Sequence, residues 1–296
     1  MGAKQVQDAE LARIKAETLI ESLSWLQDFH GKVVVIKFGG NAMVDQELTR
    51  AFAQDMAYLR FVGIKPVVVH GGGPQINAKL AELGIETEFR SGLRVTTPQV
   101  MQVVRDVLRN QISSDLASLV ESAGAEAIVL SGEDSNLFRA ERITTDQSGN
   151  ALDVGLVGEV TQVNPRVVLE ALARGVVPII STVAPDQEGQ LLNVNADLAA
   201  ASLAVALGAE KLLLLTDVAG LYSDWPNKDS LISEIQVAEL SKLMLKLESG
   251  MIPKMQSCLN ALAGGVPRAH IIDGRAPHSI LLEIFTSSGV GTLVLP

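Results

Sequence analysis

The sequence predicts an α/β protein built around a mainly parallel sheet. After Gly31, short apolar segments alternate with segments of helical periodicity, which is typical of parallel strands joined by right-handed helical crossovers. Hydrophobic residues make up 47% of the chain but aromatic residues only 4%, so the core must be aliphatic, as in parallel strands covered by helices. Glycine clusters follow two of the predicted strands, at the edge where such sheets bind ligands.

The first predicted element is an amphipathic helix over residues 6–28. Its apolar residues recur every three to five positions between charged ones, and Gly31 follows where a helix-ending glycine is expected. The apolar stripe has two interpretations of similar weight. It either packs on the core of the same chain or contacts another subunit.

The remaining elements follow in alternation. Strands are predicted at residues 32–37, 66–70, 127–130, 176–180, 211–216 and 269–272, and helices at 45–62, 196–207, 234–247, 254–264 and 277–286. The irregular alternation between residues 138 and 163 predicts β-hairpins. The polar stretch 186–190, preceded by Pro185, predicts the junction between two lobes, 29–190 and 191–296.

Charge and composition exclude several classes of protein. The net charge is −10 and no basic face is evident, so a nucleic-acid partner is not expected. No run of 18 uncharged apolar residues is present, so neither is a membrane span. The charged N-terminus lacks the apolar core of a secretory signal. The single cysteine, Cys258, allows no internal disulfide and fits a reducing compartment, so we expect a cytoplasmic protein.

Two glycine-rich turns are the first candidates for a ligand site. Lys37 ends a predicted strand and is followed by Gly39 and Gly40, which places an ammonium beside unobstructed backbone N–H groups. Alone this motif is weak, because a lysine at a strand end is more often a solvated charge. Residues 71–73 are three glycines after a second strand, and a tight turn alone explains one of them well but three poorly. Together the turns suit a polyphosphate.

Several familiar motifs are absent. The chain contains neither the Walker A pattern nor G-x-G-x-x-G, H-E-x-x-H or G-x-S-x-G. The four histidines, His30, His70, His270 and His278, are scattered without metal-ligand spacing. We therefore predict no metal site formed by the protein.

Six motifs occur in one order along the chain: Lys37-Phe-Gly-Gly40, His70-Gly-Gly-Gly-Pro74, Gly92-Leu-Arg-Val-Thr96, Asn193-Val-Asn-Ala-Asp197, Leu215-Thr-Asp-Val-Ala-Gly-Leu-Tyr222 and Gly250-Met-Ile-Pro-Lys-Met255. Over residues 30–296 they resemble the amino-acid kinase family, and within it the members that act on N-acetyl-L-glutamate. The resemblance implies the fold of that family, a three-layer αβα sandwich. Residues 29–190 would be the acetylglutamate-binding lobe and residues 191–296 the ATP-binding lobe.

The resemblance also implies an activity and a set of site residues. ATP would phosphorylate the γ-carboxylate of N-acetyl-L-glutamate, a step of arginine biosynthesis, with Mg²⁺ carried by ATP. Lys37 and Lys254 would neutralise charge on the transferred phosphoryl group, and Asp197 would orient both lysines. The substrate would be bound by Gly72, Gly73, Arg94, Asn193 and Asn195. The nucleotide would be bound by Gly39, Gly40, Thr216, Asp217, Gly220, Leu221 and Lys254.

The two ends of the chain resemble the arginine-sensitive members of the family. The resemblance implies L-arginine as an inhibitor and a homo-oligomer, a hexamer in which dimers are joined through the helix of residues 1–28. The arginine site would comprise Lys211, His278, Glu283 and Gly289, and the alternative is that Glu283 is a solvated helix residue. Two departures stand out, namely Ser249 where a glycine pair is usual and the less glycine-rich loop at residues 132–136.

Two other interpretations stay open. The chain could be a family member that acts on glutamate, aspartate, carbamate or a nucleoside monophosphate, although the motif at residues 92–96 argues against the acceptors other than aspartate. It could also be a non-catalytic ligand sensor that kept the fold. A sensor would not need both lysines together with the aspartate.

Overall fold

The structure is a computed structural model that describes residues 3–146, 148–244, 247, 250–286 and 289–296, for residues 3–7 the backbone only. In this part of the chain the central sheet has eight strands, in the spatial order β14 (Glu234–Gln236), β16 (Thr292–Leu295), β15 (Ala269–Asp273), β11 (Lys211–Thr216), β1 (Val33–Phe38), β2 (Lys65–His70), β8 (Val177–Ser181) and β5 (Ala127–Ser131). Neighbouring strands are parallel except β15 and β16. The predicted parallel sheet is confirmed.

A second sheet lies beside the first. Its strands are β6 (Phe138–Arg142), β7 (Val157–Val163), β10 (Leu191–Val194) and β9 (Val183–Pro185), and β6 and β7 form the antiparallel hairpin that was predicted. Two small hairpins pair β3 (Phe89–Arg90) with β4 (Leu93–Arg94) and β12 (Leu221–Tyr222) with β13 (Leu231–Ile232). Residues 186–190 form the turn between β9 and β10. The division into lobes at this turn stays a prediction.

Helices cover both faces of the central sheet. The α-helices of the described residues are α1 (Ala3–Glu21), α2 (Leu23–Phe29), α3 (Gln46–Phe61), α4 (Gly73–Glu82), α5 (Pro98–Asp106), α6 (Ser113–Ser122), α7 (Arg166–Ala173), α8 (Ala196–Ala206), α9 (Val237–Leu243), α10 (Ile252–Ala263) and α11 (Ser279–Phe285). Helices α3 and α6 contact each other and one face, while α8 and α10 contact each other and pack on the sheet as well. A π-helical segment, Val107–Ile112, joins α5 to α6.

Two consecutive residues of β1 show that these helix pairs lie on opposite faces. Successive side chains of a strand point to opposite sides of the sheet. Phe38 stacks on Phe52 of α3 with ring centroids 3.9 Å apart. Lys37 instead contacts Asp197 of α8. The three-layer αβα arrangement is therefore confirmed.

Some predicted boundaries are wrong. The helix predicted at residues 234–247 begins only at Val237, because residues 234–236 pair with β16 as strand β14. Strand β16 itself was not predicted. The helix predicted at residues 6–28 is divided at Ser22, whose hydroxyl bonds back to the carbonyl of Leu19. Ser249 lies outside the described residues.

The N-terminal helices differ in burial. Phe29 of α2 is buried in the core, at 2% exposure. The apolar side chains of α1 are exposed, with Leu11 at 50%, Ile14 at 48% and Leu19 at 64%. Within one chain the stripe of α1 does not pack on the core, so the first of its two interpretations fails.

Candidate active site

The two glycine turns lie side by side at the carboxyl edge of the sheet. Strands β1 and β2 are neighbours, with Lys37 in register with Val69. The N–H of Gly71 donates to the carbonyl of Phe38 at 3.1 Å, and this bond ties the second turn to the first. The two turns therefore form one surface lined with backbone amides.

Two lysines distant in sequence meet on one carboxylate. Lys37 Nζ lies 2.9 Å from Asp197 Oδ1, and Lys254 Nζ lies 3.1 Å from Asp197 Oδ2. Lys254 donates a hydrogen bond to Asp197, and Lys37 forms an ion pair with it. Lys37 comes from β1, Asp197 from the first turn of α8 and Lys254 from the first turn of α10. The two ammonium groups are thus held close to each other by the two oxygens of a single carboxylate.

The charge state of Asp197 follows from its surroundings. Burial by itself would raise the pKa of Asp197, but the ion pairs with Lys37 and Lys254 outweigh burial and lower the pKa to about 2. The carboxylate is therefore ionised at neutral pH, and lysines occupy both of its oxygens. It is an anchor for cations rather than a proton acceptor.

The start of α8 fixes the position of Asp197. Asn195 is the N-cap, and its Oδ1 accepts from the N–H groups of Asp197 and Leu198 at 2.9 and 3.1 Å. Asn195 was predicted to bind substrate. In the structure its side-chain oxygen is used by the helix, so what it directly supports is the placement of Asp197.

The first glycine turn is tied to the end of β11. Gly40 has φ +74°, a left-handed conformation, and a Cβ there would lie 2.9 Å from Asp217 Oδ2. Asp217 accepts from the N–H of Asn41 at 3.1 Å and from its Nδ2 at 3.2 Å. Asp217, predicted to bind nucleotide, thus shapes the turn after β1. Gly39 lies next to Lys37, since a Cβ at Gly39 would be 3.1 Å from Lys37 Nζ.

The second glycine turn has two different faces. A Cβ on Gly72 would lie 2.5 Å from Ile112 Cδ1 and 2.7 Å from Leu108 Cδ2 of the π-helical segment. A Cβ on Gly73 would meet nothing within 4 Å. Gly72 is therefore required by packing, and Gly73 borders open space that a ligand can use.

Alanine at these two glycines should separate the two roles. For Gly72→Ala we expect the free energy of unfolding to fall by about 1–3 kcal/mol, because the added methyl overpacks the contact with Leu108 and Ile112. For the matched variant Gly73→Ala we expect a change below about 0.5 kcal/mol. Urea unfolding without ligands, at one protein concentration, measures both. Equal stabilities would contradict this assignment.

Arg94 lies beside the open side of this turn. It is buried on β4, with Nη2 3.5 Å from the carbonyl of Gly73 and the guanidinium 4.8 Å from the centre of the Phe89 ring. Burial lowers the pKa of Arg94, and its Nη1 has no hydrogen-bond partner among the described residues. A buried cation with an unused donor is suited to a carboxylate ligand.

The other predicted ligand residues take mainly local contacts. Asn193 Nδ2 donates to Thr96 Oγ1 at 3.2 Å, and the hydroxyl of Thr216 bonds the backbone of Val218. Leu221 is buried, and its N–H donates to Thr292 Oγ1 at 2.8 Å. A Cβ at Gly220 would lie 2.6 Å from the same hydroxyl. Residues 216–221 are therefore held against β16, and their contact with a nucleotide stays a prediction.

The structure brings together three of the four residues predicted to bind arginine. Glu283 of α11 contacts Lys211 of β11, lies 2.6 Å from His270 Nδ1 and accepts the N–H of Val290 at 3.1 Å. A Cβ on Gly289 would lie 3.0 Å from Oε2 of Glu283, the oxygen that accepts from Val290. Burial would raise the pKa of Glu283, but His270 and Lys211 lower it. Glu283 is thus buried and ion-paired, so its interpretation as a solvated residue is wrong.

His278, the fourth, has a different partner. Its Nδ1 lies 2.6 Å from Oδ1 of Asp55 on α3. Burial raises the pKa of Asp55 to about 6, although the contact with His278 opposes this shift. His278 therefore links α11 to α3 rather than joining Glu283.

Sequence reasoning missed several residues around the site. Asn41, Thr292 and His270 are examples, and so is His70, whose ring contacts Ser113 across 43 positions of the chain. Only His70 had a signal, since it directly precedes the three glycines. The others lie in segments without a motif, and only the fold brings them to their partners.

Comparison with known proteins agrees with this arrangement. The model of the amino acid kinase family matches residues 32–273, most of the chain. The chain belongs to the amino acid kinase family. An acetylglutamate kinase of Saccharopolyspora erythraea is 59% identical over 282 residues, which cover 95% of this chain and 93% of that protein.

Solved structures show the same fold. N-acetylglutamate synthase from Neisseria gonorrhoeae, complexed with coenzyme A and L-arginine, matches with a TM-score of 0.78 at 25% identity, over 95% of this chain and 65% of the synthase. The chain therefore matches just under two thirds of the length of the synthase. Carbamate kinase from Giardia lamblia bound to AMP-PNP matches with a TM-score of 0.63 at 18% identity, over 90% of this chain and 98% of the kinase.

The helices of the described residues include none with the length and apolar character that a membrane span requires.

Proposed function

We propose that this family member transfers the γ-phosphoryl group of ATP to the γ-carboxylate of N-acetyl-L-glutamate. The product is N-acetyl-L-glutamyl 5-phosphate, in the cytoplasmic synthesis of arginine. The observation that carries the proposal is the pair of ammonium groups, Lys37 and Lys254, on the buried carboxylate of Asp197. Similarity to an acetylglutamate kinase over 95% of the chain supports the choice of acceptor.

The chemistry needs cations more than a base. The γ-carboxylate of the acceptor is ionised at pH 7 and can attack the γ-phosphorus without losing a proton. A bond forms from the carboxylate oxygen to phosphorus, and the bond from phosphorus to the bridging oxygen of ADP breaks. Charge spreads over the oxygens of the transferred group, so positioned cations supply most of the catalysis. Lys37 and Lys254 fill this role, and Asp197 holds them in place.

Mg²⁺ enters this proposal with ATP. Among the described residues, no group of three or more His, Cys, Asp or Glu side chains is arranged to hold a metal ion. Both oxygens of Asp197 face lysines, and those of Asp217 face Asn41. These carboxylates do not fit a metal held by the protein, so the phosphate oxygens would hold the ion.

A panel of acceptors tests the proposal. Release of ADP from Mg-ATP would be measured with N-acetyl-L-glutamate, glutamate, aspartate, carbamate and UMP. We expect turnover with N-acetyl-L-glutamate and only background release with the others. Turnover of another acceptor in its place would overturn the proposal, and ATP binding without any turnover would indicate a ligand sensor.

Arg94→Ala should raise KM for N-acetyl-L-glutamate by about 10–100-fold and leave kcat within severalfold, because it removes a charged hydrogen bond made in ground state and transition state alike. The free Nη1 of Arg94 is the donor that the α-carboxylate would take. Arg90→Ala is the matched control, since Arg90 is exposed and pairs with Glu88. Steady-state kinetics with acceptor varied gives the result, and an unchanged KM would refute the role.

Regulation by arginine and assembly through α1 belong to the same proposal. The exposed stripe of α1 fits a second subunit, and the cluster of Glu283, Lys211 and His270 offers a carboxylate that a guanidinium could share. The bound L-arginine of the related synthase supports an arginine site in this fold.

Deleting residues 1–21, which removes α1 and keeps α2, tests the assembly. We expect the hexamer to fall to a dimer, measured by light scattering after size-exclusion chromatography, with catalysis retained. Inhibition of both proteins by arginine would be measured in parallel. A truncated protein that stays hexameric would exclude α1 as the contact.

A further inference from the structure

His70 lies directly beneath the second glycine turn. It is the last residue of β2, it precedes Gly71, and its side chain is fully buried on the face of α3 and α6. Its Nδ1 lies 3.0 Å from the carbonyl oxygen of Gly71, and its Nε2 lies 2.6 Å from the hydroxyl oxygen of Ser113. No step of the proposed transfer uses this histidine.

The neutral ring has a complete set of hydrogen bonds. A carbonyl can only accept, so Nδ1 carries the proton and donates to Gly71. Nε2 then accepts from the hydroxyl of Ser113. The carbonyl of Leu108 is left without that hydroxyl but already accepts the backbone N–H of Ser113 across the π-helical segment.

The protonated ring has a complete set as well. Ser113 Oγ also lies 3.0 Å from the carbonyl of Leu108, so its hydroxyl has two acceptors within reach. If the hydroxyl turns to Leu108, its lone pair faces Nε2 and accepts a second N–H from His70. The ring can therefore gain a proton while only a hydroxyl hydrogen moves.

Burial and the nearby charge of Lys37 together favour the neutral state. Burial lowers the pKa of His70 to about 4, and the positive charge of Lys37 contributes to this shift. Lys37 stands on β1 and is paired with Asp197 on α8. The hydrogen-bond partner Ser113 on α6 and the register neighbours Ser181 on β8 and Phe38 on β1 are uncharged. Without ligands the ring is therefore neutral at pH 7.

We propose that His70 takes up a proton when anionic substrates fill the site, so that an imidazolium stands behind the turn of residues 71–73 as a positioning cation. A polyphosphate and a dicarboxylate at the two glycine turns bring several negative charges beside Lys37, and these offset its positive charge and favour the imidazolium against the cost of its burial. This inference rests on the proposed function, because it needs anionic ligands at this edge of the sheet.

Proton uptake makes ligand affinity depend on pH. Because binding consumes a proton, affinity falls as pH rises, by at most about tenfold per pH unit for one proton. Calorimetry of N-acetyl-L-glutamate binding to the protein loaded with Mg and a non-hydrolysable ATP analogue measures the protons taken up, if it is repeated in buffers of different ionisation enthalpy. We expect uptake by the wild-type protein and its loss in His70→Gln.

Serine variants test the hydroxyl switch. Ser113→Ala should reduce the uptake, because Nε2 loses its partner. Ser118→Ala is the matched control, since Ser118 is an exposed serine of the same helix that bonds the carbonyl four residues before it. Equal uptake by wild type and His70→Gln would overturn the inference, and so would equal uptake by the two serine variants.

A measurement on the wild-type protein avoids dependence on the folding of variants. Nitrogen NMR of ¹⁵N-histidine protein reports the protonation of each ring, and the four histidines of the chain give few signals to assign. We expect one ring to change from neutral to protonated when both ligands are bound. If N-acetyl-L-glutamate binds and all rings keep their state, the inference fails while the proposed function stands. If N-acetyl-L-glutamate does not bind, both the inference and the proposed function fail.

Discussion

Replacement of either Lys37 or Lys254 by alanine should lower kcat by about 10²–10³-fold, the loss typical of one preorganised donor at a developing charge. Each ammonium lies within 3.1 Å of Asp197, so each is already in place before ATP binds. Because these contacts matter most in the transition state, kcat should fall more than the affinity for either substrate.

The measurement is steady-state ADP release with both substrates saturating. Lys79→Ala is the control, since Lys79 lies on α4 and pairs with the exposed Glu82. Thermal unfolding of each variant shows whether the fold is kept. A kcat within twofold of wild type for either variant would remove that lysine from the mechanism.

Asp197→Asn should act on catalysis and on stability together. With the carboxylate gone, the two ammonium groups face each other without a shared anion, and we expect kcat to fall by about 10²-fold as both leave their positions. The asparagine keeps the size of the side chain, and the N-cap from Asn195 remains. A normal kcat would show that the lysines are positioned by something else.

The stability effect has a defined pH dependence. The pKa of Asp197 is about 2 in the folded protein, below its value near 3.9 in the unfolded chain. Its contribution is therefore fully present above about pH 4, where it amounts to about 2–3 kcal/mol, and is lost as the pH falls toward 2. Urea unfolding of wild type and Asp197→Asn should differ at pH 7 and converge in acid. A difference that does not change with pH would contradict the ion-pair origin.

The sequence predicted the sheet better than its surroundings. Strands such as β1, β2 and β11 are continuous apolar runs that only a buried parallel sheet explains, and all six predicted strands are in the central sheet. Strand β16 and the short strand β14 were missed, because each has four residues or fewer and is recognisable only by its pairing, that of β16 with β15 and that of β14 with β16. Periodicity over so few residues cannot separate strand from helix.

The site shows the same contrast. Motifs identified Lys37, Asp197 and Lys254, and the structure places them together. The motifs do not indicate the hydrogen-bond partner of each side chain. Asn195 bonds its own helix and His278 bonds Asp55 across 223 positions, and such contacts follow from packing. Side-chain partners far apart in sequence are set by the fold and are visible only in it.

The π-helical segment between α5 and α6 has a consequence for insertions and deletions. A π-turn contains one residue more than the α-turn it replaces. Removing a single residue from Val107–Ile112 would restore the regular repeat with α5 and α6 keeping their orientation, because a π-turn accommodates its extra residue without turning the rest of the helix. The contact of the Ser113 hydroxyl with the carbonyl five residues earlier, that of Leu108, would then be lost, and the apolar pair beneath Gly72 would be displaced. Chain length here and the identities of His70, Gly72 and Ser113 should therefore vary together, if they vary at all.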